Sequence, residues 1–226
     1  MLRYNQYLPK MILFLIALSH AEAFAGSSAP WVGVDFRGFA CAGEHMRYGP
    51  YDYANAEHRA TKLPIVESYH FTPEVQQLLR GKSGSVIGDL QYTLRAFPNH
   101  YKALRSISYY DILYKNTEGM NNVSPSVECY FQRAINFVPA DATVHILYAI
   151  FLKKINKVNL AEAEYKKAIE LEPEKLKFRY MYGLFLVKQK KYNAAKEQAE
   201  IIYNKNYPET KLKMKLHSVG YWGEVK

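Results

Sequence analysis

The sequence predicts an all-α chain: a short array of antiparallel helical hairpins, with an irregular N-terminal segment before it and a C-terminal capping helix after it. Three observations predict this. Small residues, aromatics and prolines recur at one fixed interval, about 34 residues, through the second half of the chain. The stretches between them carry the three- and four-residue apolar spacing of amphipathic helices. Each expected second helix also runs into a proline, which lacks an N–H donor and crowds the preceding turn.

Ala161, Tyr165, Ala168 and Pro173 set the pattern, with successive spacings of 4, 3 and 5. Val127, Phe131, Ala134 and Pro139 stand one interval earlier, and Ala195, Ala199 and Ile202 one interval later, with Pro208 one place late. Gly183 follows Ala149 by the same interval. Small residues let two helix axes approach where they cross, and Phe131 or Tyr165 fills the gap one turn away. This pattern resembles the tetratricopeptide repeat, a helix–turn–helix unit of that length. The resemblance implies a short superhelix with hairpins at about residues 142–175 and 176–209. It departs from the family at His145, where a large aromatic is usual.

The first unit is split. Pro98 and Pro139 stand further apart than Pro139 and Pro173 do, so an insertion sits within it, in the polar run from Lys115 to Ser126. A helix is expected from Asn99 to about Tyr114, and another before it, over residues 88–98. Thr210 to Tyr221, with apolar Leu212, Met214, Leu216 and Val219, reads as the capping helix. Outer units that differ from the middle ones agree with the need to close both ends of such an array.

Residues 26–71 show no helical periodicity. They hold Gly33, Gly38, Gly43, Gly49-Pro50 and a cluster of Trp31, Phe36, Phe39, Tyr48, Tyr51 and Tyr53. An ordered loop segment lying against the helices is expected. Thr72, Pro73 and Glu74 make a good helix start, with the helix reaching about Arg80 before Gly81. The helical repeat domain is therefore expected to cover residues 72–226. Three pieces, Tyr48–Tyr53, His70–Val75 and Tyr92–His100, are similar to segments of uncharacterised exported bacterial tetratricopeptide proteins. That likeness implies no activity.

Export is expected from the start of the chain. Arg3 and Lys10 precede an apolar run from Met11 to Leu18, followed by small residues at Ala21, Ala23 and Ala25. A basic start, about 8 apolar residues and an A-x-A site describe a secretory signal peptide, residues 1–25, cleaved after Ala23 or Ala25. The run is too short to cross a bilayer, which takes roughly 20 apolar residues. Cys41 and Cys129 form an even pair that an oxidising compartment allows to bond, although sequence leaves open whether the sulfurs meet. The net charge of +9 becomes about +8 once Arg3, Lys10 and Glu22 leave. Such a surplus suits an acidic partner, an anionic glycan or a membrane surface, while export makes nucleic acid a poor candidate.

Catalytic and metal-binding patterns are weak. His45, His58, His70 and His100, even joined by Cys41 or Glu44, lack the close spacing of zinc ligands. No G-x-S-x-G elbow occurs, and Gly81-Lys82-Ser83-Gly84-Ser85 lacks the upstream glycine and the strand of a phosphate loop. The expectation is a chain that is not an enzyme and carries no cofactor. An active site, if present, would draw on His70, Asp52 or Glu67.

In the family resembled, the first helices of successive hairpins line a concave groove. That implies a binding surface of Lys102, Arg105 and Tyr109, then Ile146, Ile150 and Lys153, then Lys177, Tyr180 and Leu184. Spacings of 3 and 4 place each trio on one side of its helix. Two tyrosines, three aliphatics and four cations suit an extended protein or peptide segment with apolar anchors and acidic groups. The alternative for some of these side chains is packing against the N-terminal segment. The asparagines of the carboxylate-clamping members are absent, which argues against a chaperone C-terminus as partner. A second expectation is attraction to an anionic glycan or membrane surface through Lys153, Lys154, Lys157, Lys166, Lys167, Lys188, Lys190 and Lys191.

Overall fold

The computed structural model describes residues 28–114 and 124–223. The expected signal peptide lies outside the described residues, as does most of the polar run after Tyr114. All named elements of the described residues are helical: α1 (Ala56–Thr61), α2 (Leu63–His70), α3 (Pro73–Gln76), α4 (Val86–Ala96), α5 (Tyr101–Tyr114), α6 (Val127–Phe137), α7 (Ala142–Lys154), α8 (Val158–Leu171), α9 (Leu176–Lys188), α10 (Tyr192–Tyr203) and α11 (Lys211–His217). No described helix is long and apolar enough to cross a membrane.

The sequence period is present in the backbone. α7 and α9 begin one interval apart, at Ala142 and Leu176, and so do α8 and α10, at Val158 and Tyr192. Their turns repeat as well. Asn156 and Lys190 both take the left-handed conformation, at φ 61° and 60°, and the amides of Lys157 and Lys191 donate to the carbonyls of Leu152 and Leu186 at 2.8 and 3.0 Å. Asparagine tolerates that conformation well; lysine adopts it at some cost.

Packing follows the same period. Ala149, Ala161 and Ala168 are fully buried, so the α7 and α8 axes approach closely. Phe131 on α6 stacks on Tyr148 and Phe151 of α7, with ring centroids 4.7 and 5.8 Å apart. One repeat later, Tyr165 on α8 packs on Tyr182 and Phe185 of α9, at 5.8 and 5.1 Å. Each hairpin thus hands an aromatic ring to the next, and burying such rings is among the larger favourable terms in a core. The series stops at Ala199. There α11 closes the array by burying Leu212 and Leu216, with Leu212 pressed against Gly183.

Two expectations about the N-terminal region are corrected. The segment 26–71 is irregular only as far as Ala54; α1 and α2 follow. Asn55 caps α1 by accepting the amides of Glu57 and His58, and Pro64 lies in the first turn of α2, where a missing N–H is harmless. The helix starting at Thr72 is a single turn that ends at Gln76, because Leu78 turns to φ 62°.

The irregular part is strapped onto the array. Cys41 and Cys129 are disulfide-bonded, with Cα atoms 5.5 Å apart. Arg133 on α6 is buried and donates from Nε to the carbonyl of Ala29 and from Nη1 to that of Leu94, both at 2.7 Å. Its guanidinium also lies 5.0 Å from the ring centre of Trp31. Burial brings the Arg133 pKa down to about 10; it stays charged at neutral pH. Asn99, fully buried before α5, accepts the Tyr53 amide and donates to both Asp52 and Asp141, at 2.8, 2.7 and 2.9 Å.

Candidate functional site

α5 and α7 border a pocket of about 250 Å³ lined by Arg105, Ser108, Tyr109, Ile112, Leu147, Ile150, Phe151 and Lys154. The helical spacing explains the lining. Arg105, Tyr109 and Ile112 follow at intervals of 4 and 3 on α5, and Leu147, Ile150 and Lys154 at 3 and 4 on α7, so each set shares one side of its helix. Ser108 stands where the later hairpins have Ala149 and Gly183 once the insertion is removed, and its hydroxyl is satisfied by the Leu104 carbonyl at 2.7 Å. The wall is apolar and partly open, with Tyr109 45% exposed. Two cations, Arg105 and Lys154, stand in the lining, and no carboxylate does.

Three of the nine expected groove residues, Arg105, Tyr109 and Ile150, meet in this pocket. The others are spread. Lys102 and Lys177 are exposed away from it, and Leu184 is half-buried against the core. Ile146 and Tyr180 are only 4% and 9% exposed, and Tyr180 rests on Tyr207 with centroids 5.2 Å apart. Lys153 is half-buried; desolvation first, then the ammonium groups of Lys188 and Lys154, lower its pKa. Ser108, Ile112, Leu147, Phe151 and Lys154 line the pocket but are missing from the expected groove residues. Continuing the spacing one step from Tyr109 reaches Ile112, and one step back from Ile150 reaches Leu147.

The lysines expected on a single face fall into two groups. Lys166 and Lys191 both pair with Glu162, at 3.1 and 2.5 Å, and Lys167 pairs with Glu170 at 2.9 Å. Lys153, Lys154, Lys157, Lys188 and Lys190 have no carboxylate partner among the described residues.

The three residues considered for catalysis do not converge. The ring of His70 bonds the buried Asp89 at 2.8 Å and stacks on Tyr92. Asp52 caps the Ala54 amide and accepts from Asn99. Glu67 accepts from the fully buried His100, 3.2 Å away, and this hydrogen bond lowers its pKa. Among the described residues, no group of three or more His, Cys, Asp or Glu side chains is arranged to hold a metal ion.

Comparison with protein-family models gives no match, and neither does comparison with curated proteins. Among solved structures, the "MamA RS-1 ArsTM double mutant" is similar over 72% of this chain and 81% of that one, with 17% identity and a TM-score of 0.43. A likeness of that size bears on neither family nor function. The hairpin reading rests on the chain's own repeat register.

Proposed function

We propose that this chain is a non-enzymatic, exported adaptor that holds a segment of a protein partner against α5 and α7. The observation that carries this reading is the pocket between them, apolar on its floor and cationic at Arg105 and Lys154. It suits an apolar anchor on an extended peptide with acidic neighbours, since a preformed apolar cleft with few polar groups is the usual form of a binding site. The separate engagement of His70, Asp52 and Glu67 supports a binding role over a catalytic one. Export to a bacterial periplasm is supported by the cysteine pair, because disulfides persist in oxidising compartments.

The test is photo-crosslinking in cells with a reactive residue in place of Ile112, alongside Arg105→Glu with Tyr109→Ala. A protein crosslinked in the parent and lost in that variant supports the groove. Equal crosslinking in both removes it. N-terminal sequencing of the protein from the envelope fraction tests export; the expected first residue is Phe24 or Gly26.

A further inference from the structure

The loop from Gly33 to Cys41 is built to present apolar side chains. The buried Asp35 carboxylate accepts the amides of Arg37 and Phe39 at 2.8 and 2.9 Å and pairs with the Arg37 guanidinium. The Asp35 amide donates to the Phe39 carbonyl at 2.8 Å, and the Cys41 amide to that of Gly33 at 3.0 Å. Gly33 and Gly38 supply the positive φ, 79° and 88°, that so tight a loop needs. α6 fixes its base: Glu128 accepts the Phe36 amide, Gln132 donates to the Val34 carbonyl, both at 2.8 Å, and Cys129 holds Cys41. With its polar backbone groups so engaged, the loop leaves Val34 56% and Phe39 65% exposed, with Phe36 partly so.

Cations lie beside it. The Lys157 ammonium sits 4.8 Å from the centre of the Phe36 ring, which ties the loop to the turn between α7 and α8. The corresponding turn between α9 and α10 is next in the array, and Lys188 is close enough to act electrostatically on Lys153 together with Lys154. One edge of the molecule therefore carries Val34 and Phe39 on a rigid loop, followed by Lys157, Lys154, Lys188 and Lys190, none paired with a carboxylate among the described residues.

We infer that this edge is a docking surface for an anionic lipid bilayer, with Val34 and Phe39 entering the headgroup region and the lysines meeting lipid phosphates. Apolar side chains next to unneutralised cations are the combination that membrane interfaces select, because burial and attraction to anionic headgroups add. A soluble polyanion would satisfy the lysines but give Val34 nothing. The surface is distinct from the α5–α7 groove, apart from Lys154, which borders both.

The test is flotation of the purified, oxidised chain with phosphatidylglycerol-containing vesicles, with neat phosphatidylcholine vesicles and with dextran sulfate as the polysaccharide control. Binding to the anionic vesicles should exceed that to neutral ones by at least about tenfold. Val34→Ser with Phe39→Ser should lower it about tenfold, and Lys157→Glu, Lys188→Glu and Lys190→Glu together by more than about a hundredfold. All these side chains are exposed, so circular dichroism melts should be unchanged. Equal vesicle binding by all three proteins overturns the inference, since neither the loop nor the lysines would then carry attachment. Retention by dextran sulfate that ignores the serine changes, without vesicle binding, overturns it in favour of a polysaccharide site.

Discussion

His145 on α7 and Glu164 on α8 meet across their hairpin, Nδ1 to Oε2 at 2.6 Å, and the next hairpin places Arg179 and Gln198 at the same two positions, joined at 3.1 Å. The repeat thus keeps a polar bridge between its two helices while changing both partners. In the first of these bridges Nε2 of His145 is buried with no hydrogen-bond partner among the described residues. Glu164→Leu would leave the whole imidazole buried without a bond, at a cost of about 2 kcal/mol. Adding His145→Leu should recover part of that loss, because two apolar groups fit where one stranded polar group does not. Urea midpoints of the single and double variants decide; a double variant less stable than Glu164→Leu refutes it.

Gly183 and Leu212 are coupled through space. A Cβ on Gly183 would overlap a Leu212 methyl, and Leu212 is fully buried. Gly183→Ala should therefore destabilise the protein by about 1–2 kcal/mol through overpacking, against the gain of up to about 1 kcal/mol expected of alanine in a helix. The same change made in a Leu212→Ala background should cost nothing or stabilise. Additive effects in that double-mutant cycle would show that α11 does not press on α9.

Acid should weaken the fold from near neutrality. Burial holds the His100 pKa below its ordinary 6.5. The unfolded chain binds a proton there that the folded chain refuses, so stability is lost as pH falls from 6.5 through the folded pKa. The slope for one proton approaches about 1.4 kcal/mol per pH unit. Glu67 adds to the loss further down: its lowered pKa contributes stability that is present above 4.5 and lost as pH falls through the folded value. Asp141, raised from 3.8 mainly by burial, opposes them, since the folded state then binds the proton more tightly. Urea midpoints between about pH 5 and 7.5 should show the slope, and His100→Asn should flatten it. An unchanged slope assigns it elsewhere.

Reduction should loosen the molecule. The disulfide joins residues 88 apart, and closing a loop of that length is worth about 4–5 kcal/mol in the chain-entropy account. Cys41→Ser with Cys129→Ser should lower the urea midpoint accordingly while the helical content of α7–α10 persists. A midpoint that reductant and substitution both leave alone contradicts it.

The hairpins are legible in the sequence because their signal is periodic. Ala161, Tyr165 and Ala168 keep one spacing, and the packing they imply is the packing found. α1 and α2 are not, since helices of 6 and 8 residues that bury at most Leu63 and Val66 leave too little pattern to register. Nothing in the spacing announces Arg133 as an anchor either; its partners are carbonyls of Ala29, Leu94 and Arg95, and carbonyls carry no sequence identity. The groove residues are half-legible. Helical spacing gathers Ile146 and Ile150 on one side of α7, but only the position of the neighbouring hairpin decides that Ile146 is enclosed while Ile150 borders the pocket. Tyr180 is covered likewise by Tyr207, which the period does not place.

The Cys41–Cys129 link has one more effect, on the chain as a length of covalent polymer. Any peptide bond between those two residues can be cut without yielding two molecules, because both fragments remain tethered at the sulfurs. A protease that clips there would leave the aromatic loop attached to α6 and the product running as one species until reductant is added. The strap and the array would then part only where thiols are plentiful, so for this chain a cut and a release are separate events.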